Sequence, residues 1–155
     1  MSTEVSATAR SGNRLLVFLF ALAAVVSLIG LADALYLTSE HLSGQSVRCT
    51  LISGCSEVLS SPYASVGGIP LAAIGAAAYF AVFSLAILAS FGYRLAAAVL
   101  PLLVAVMFVT TLWLLYLQAF VIRQFCEFCL LSAAVTFVLT VIVIFIRWQI
   151  NKFRI

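Results

Sequence analysis

Charge is what this sequence lacks most. Asp, Glu, Lys and Arg make up 8% of its 155 residues, against about 25% in an ordinary soluble domain, while 65% of the residues are hydrophobic. With a mean hydropathy of +1.25, that scarcity excludes a soluble domain of this length. Strict alternation of apolar and polar residues is also missing, which excludes a membrane barrel. A glycine-rich nucleotide loop, a haem-attachment motif and a serine-hydrolase constellation are absent too. The net charge of +3 comes from basic residues dispersed along the chain, so no nucleic-acid partner is expected.

What is present is long apolar runs. A bilayer core about 30 Å thick requires roughly 20 apolar residues in a helix, and four such runs lie at about Leu15–Leu37, Ile69–Phe91, Leu95–Ile122 and Cys126–Ile146. In lipid the backbone must satisfy itself, so these runs are helices. The expected fold is all-α: a polytopic four-transmembrane-helix bundle over 15–147, with tails at 1–14 and 148–155. A long loop, 38–67, joins the first two helices and carries a short helix of its own. Arg10 and Arg14 before the first run, with Ala32-Asp33-Ala34 near its end, give it the look of a secretion signal. The run is longer than the ~7–15 apolar residues of a signal core, so it is read as a membrane helix. Arg10, Arg14, Arg94, Arg147, Lys152 and Arg154 fall on one side and only Arg48 and Arg123 on the other. That bias predicts cytoplasmic termini and a non-cytoplasmic 38–67 loop.

By this topology the four cysteines share the non-cytoplasmic side, where disulfides form and persist. Cys49 and Cys55 lie in the loop, and "QFCEFCL" (Gln124–Leu130) puts Cys126 and Cys129 at the start of the fourth helix. C-x-x-C on a first helical turn brings both sulfurs to one face, where free N–H groups and the helix dipole favour thiolate. The loop is longer than most connections, and loops of that length are commonly functional. Ser53 can cap a short helix through Cys55, Val58 and Leu59 that ends before Pro62. Resting at the membrane surface, such a helix would hold Cys55 near Cys126 and leave Cys49 open to a protein in the aqueous phase, making the two pairs a relay. Two structural disulfides clamping the loop, or a soft-metal binding or transport site built from the same thiols, are the competing readings. The Cys49–Cys55 spacing departs from the C-x2-4-C of structural zinc corners, and His41 reads as a solvated loop residue, so no metal is expected.

Two loop cysteines followed by "CSEVLSSPYA", then "GGIPLAAIGAAAY" entering the second helix and C-x-x-C opening the fourth, resemble the vitamin K epoxide reductase family, in particular its bacterial disulfide-forming members. The likeness spans about Leu15–Ile146. The resemblance implies a quinone-dependent thiol–disulfide oxidoreductase, with a quinone of the ubiquinone or menaquinone (vitamin K) type. In that family pattern Cys129 lies nearest the quinone, Cys126 is its disulfide partner and exchanges transiently with Cys55, and Cys49 of the Cys49–Cys55 pair takes electrons from a thioredoxin-like protein. Ser61 matches a family serine facing the quinone pocket. Leu59 and Ala133 stand where vertebrate members carry an aromatic residue and a tyrosine, which argues against epoxide reduction as the main activity, although vitamin K quinone or epoxide reduction is the alternative within the family. With no thioredoxin-like domain appended, the redox partner is expected to be a separate protein outside the cytoplasmic membrane of a bacterium.

Other residues stand outside that pattern. Asp33, inside the first run, is a functional candidate at the quinone site because an intramembrane carboxylate is costly, unless it reaches the interface from the last turns. Gly75, Ala76, Ala77 and Ala78 give the second helix a thin face suited to packing or to a ligand. Trp113, Tyr116 and Phe120 read as an interfacial belt rather than a quinone stack. Pro101 is expected in an early turn of the third helix, and Ser132 has no partner evident in the sequence.

Overall fold

The computed structural model describes residues 2–44 and 55–153. Helix α1 runs over Ser2–Ser43, α2 over Cys55–Leu59, α3 over Leu71–Ser90, α4 over Arg94–Tyr116 and α5 over Glu127–Phe153. Four segments, Arg14–Ser43, Leu71–Ser90, Arg94–Ile122 and Glu127–Lys152, are long and apolar enough to cross a membrane, so the protein is a multi-pass, all-α membrane bundle. The N-terminal stretch expected as a tail is helical and continuous with α1. At the other end α1 continues past Leu37 through Thr38–Ser43, because polar residues with fair helix propensity do not end a helix that lacks a breaker. The first residue with positive φ there is Gly44.

The four long helices close into a ring, α1 against α3, α3 against α4, α4 against α5 and α5 against α1, with α1–α3 the most extensive contact. Small residues explain that contact. Ala23, Ala24, Ser27, Gly30 and Ala34 recur along one face of α1 at helical spacing, opposite Ala76, Tyr79, Val82, Ala86 and Ala89 of α3. Small side chains let two backbones approach, and in lipid such packing takes the place of the hydrophobic drive. Gly30 is required for this: a Cβ there would collide with the Tyr79 ring. The opposite face of α1 presents Phe18, Val25 and Ile29 outward, an apolar coat suited to lipid.

Between α2 and α3 the chain makes a 3-10 turn at Pro62–Ala64 and a two-residue hairpin, β1 (Ser65–Val66) with β2 (Ile69–Pro70). Gly67 and Gly68 form its turn with φ of +60° and +83°, the left-handed pair that a tight hairpin requires. Pro101 lies about two turns inside α4. Past Tyr116 the third span widens into a π-helix at Leu117–Ile122, ended by Arg123 in the left-handed region at φ 56°.

Candidate functional site

The site begins where α5 begins. The Cys126 carbonyl accepts the Leu130 N–H at 3.0 Å and its Sγ accepts the Cys129 N–H at 3.4 Å. Cys126 therefore stands at the N-cap, with sulfur where a serine or aspartate oxygen commonly sits. Both cysteines are free thiols. A hydrogen bond with the Cys129 side chain, joined by the backbone N–H groups of Cys129 and Phe128, draws the Cys126 thiol down to about 7 against the opposing effect of burial. The thiolate expected at this helix start thus falls on Cys126.

The two sulfurs face different surroundings. Cys126 is fully buried in a cluster with Leu37, Cys55 and Val58. Cys129, one turn on and only half-buried, lines a cavity of about 410 Å³, within the range of small-molecule sites. Cys55, the first residue of α2, is disulfide-bonded. Cys49 and the proposed cap Ser53 lie outside the described residues. Ser61 lines the cavity, and its hydroxyl donates to the Val58 carbonyl at 2.7 Å, closing the end of α2.

Leu59, Ala133 and Asp33 line the same cavity, so the pocket residues named from the sequence converge on one space with Cys129. The thin face of α3 divides: Gly75 and Ala78 face the cavity while Ala76 is buried in the core. Trp113 stacks on Tyr116, Tyr116 tilts against Phe120, and the three are 60%, 50% and 68% exposed. They do not line the cavity, as an interfacial belt requires. His41 is not a loop residue: it occupies the last turn of α1 and lines the cavity.

Sequence reasoning missed two residues. Tyr79 reaches from α3 to α5, where its hydroxyl lies 2.8 Å from Ser132 Oγ, 2.9 Å from Thr136 Oγ1 and donates to the Ser132 carbonyl at 2.9 Å. Ser132 thus has a partner after all. Gln118, in the π-helix, is buried at the cavity wall; π turns occur often at functional sites. Its Oε1 and both carboxyl oxygens of Asp33 are buried without a hydrogen-bond partner. Asp33 sits ten residues before the end of α1 at Ser43 and is buried in the cavity wall.

A mostly apolar cavity with a few unpaired polar atoms at a C-x-x-C pair fits a lipid-soluble ring compound with polar oxygens. A sequence model of the vitamin K epoxide reductase family matches residues 21–144.

Proposed function

Since the chain belongs to the vitamin K epoxide reductase family, whose members are membrane thiol–quinone oxidoreductases, we propose that it re-oxidises a thioredoxin-like carrier and passes the electrons to a quinone, so driving disulfide formation outside the cytoplasm. The observation that carries this reading is the division of the C-x-x-C pair. Cys126 shares a buried cluster with Cys55, while Cys129, packed against that cluster, alone of the two lines the cavity.

The residues divide the work accordingly. A reduced carrier attacks the loop disulfide at Cys49 and leaves with a disulfide of its own, which releases the Cys55 thiolate. Cys55 attacks the Cys126–Cys129 disulfide at Cys126, forming a transient Cys55–Cys126 bond and freeing Cys129. Cys49 then resolves that bond, restoring Cys49–Cys55 and leaving Cys126 and Cys129 as the dithiol. A bound quinone supplies a two-electron, two-proton sink. Gln118, Asp33, Ser61, Leu59 and Ala133 hold it against Cys129, and closure of Cys126–Cys129 completes the cycle. The aliphatic wall at Leu59 and Ala133 favours simple quinones of the ubiquinone or menaquinone class over the epoxide. The positive-inside bias supports cytoplasmic termini, and the likeness of the 38–67 loop to the bacterial members supports a bacterial cytoplasmic membrane.

The test is quinone reduction by the purified protein with a reduced thioredoxin-like protein as donor. Turnover that needs both, and that disappears in Cys49→Ala, supports the relay. Absence of turnover with stoichiometric binding of a soft metal by the thiols points instead to a metal-handling protein.

A further inference from the structure

Resting on that reading, we propose that Asp33 carries a proton between the Cys129 thiol and the nearer oxygen of the bound quinone. Asp33 is 8% exposed, lines the cavity that Cys129 lines, and has no hydrogen-bond partner at either carboxyl oxygen. An orphaned carboxyl group inside a membrane helix is costly in hydrocarbon unless something arrives to complete it. No lysine or arginine is among the described residues lining the cavity, so no cation completes it there. Gln118, which lines the same cavity, offers a second orphaned acceptor, its Oε1. Unpaired acceptors match the hydroxyl groups of a reduced ring, and a carboxyl that has just given up its proton accepts such a hydroxyl in return.

The step balances as follows. The Cys129 S–H bond breaks, Cys126 and Cys129 form one S–S bond, and two electrons leave the sulfurs for the quinone. Asp33 takes the Cys129 proton and delivers a proton to the nearer ring oxygen, ending as it began. The Cys126 proton, already lost to water above about pH 7, is returned from water to the far oxygen. Among the described residues, the other titratable groups lining its cavity are Cys129, Tyr79 from α3, Tyr63 before β1, and His41, two turns further along α1, with Cys126 hydrogen-bonded to Cys129.

The test compares Asp33→Asn and Asp33→Glu with the unsubstituted protein in detergent, using a short-chain quinone. Asp33→Asn is expected to lower kcat by about tenfold or more, in line with the loss of a general acid–base group, with KM within about threefold and an altered pH profile. Asp33→Glu is expected to recover part of kcat. Formation of the Cys55–Cys126 mixed disulfide should be unaffected in both. Infrared difference spectra taken as the bound quinone is reduced should show a carboxyl band that shifts in Asp33→Glu and is lost in Asp33→Asn. An unchanged kcat and pH profile in Asp33→Asn, a loss confined to KM, or a wild-type spectrum without a carboxyl band overturns the proposal. A wild type that reduces no quinone overturns the functional reading as well; a working wild type indifferent to Asp33 overturns only this inference.

Discussion

The Cys129 backbone N–H donates to the Cys126 sulfur at 3.4 Å, so the second cysteine of the motif acts on the first before any exchange begins. The Cys129 thiol adds a hydrogen bond, and together they favour Cys126 as thiolate. Cys126 is therefore ionised above about pH 7 and protonated below it. Thiolate absorbance in the ultraviolet should rise through that pH in the reduced protein. In Cys129→Ala the midpoint should move up toward the free-thiol value of about 8.5. A midpoint that stays near 7 would show that the side-chain bond is not the cause.

Removing Cys129 also takes away the sulfur that closes the Cys126 disulfide. Cys129→Ala should accumulate a Cys55–Cys126 bond under oxidising conditions, detected as a linked peptide pair by mass spectrometry. Cys126→Ala should form no such bond. Equal amounts of the linked pair in both variants would contradict the pairing of Cys55 with Cys126.

Gly30 and Tyr79 test the fold around the cavity. A methyl group at Gly30 meets the Tyr79 ring, which cannot swing away freely because Ser132 and Thr136 hold its hydroxyl. Gly30→Ala should cost about 1–3 kcal/mol, as overpacking does, and lower Tm in detergent. Tyr79→Phe, which keeps the ring and loses the hydroxyl, should cost about 1 kcal/mol. A Gly30→Ala protein as stable as wild type would place the ring elsewhere.

Ala133 lines the cavity with only a methyl group. Ala133→Phe should fill part of the roughly 410 Å³ and weaken quinone binding by about tenfold, ~1.4 kcal/mol, while leaving the thiolate titration of Cys126 in place. An unchanged quinone affinity would move the binding space away from this wall.

Much of this was legible in the sequence because its signals are local. Four apolar runs give four helices, and the three-residue spacing at Cys126 and Cys129 places both on one helical turn. Asp33 stands out by charge alone in an apolar run. Tyr79 was not legible, since its partners Ser132 and Thr136 lie on another helix more than fifty residues away; a glycine at Gly30 opposite a large ring was the only trace. Gln118 was hidden for a different reason: a 3.6-residue period does put it on the buried face of Leu100, but a lone amide at the end of an apolar run reads as an interfacial residue. His41 was misplaced because α1 runs on through polar residues that carry no stop signal.

The most direct test of the relay is electron flow through Cys129 in the purified protein, measured as quinone reduction with a reduced thioredoxin-like donor for wild type and Cys129→Ala. If Cys129 faces the quinone and Cys126 faces the loop pair, wild type turns over, and Cys129→Ala reduces no quinone while still trapping Cys55–Cys126. Wild-type rates of quinone reduction in Cys129→Ala would contradict the assignment of the cavity-facing cysteine and with it the order of the relay.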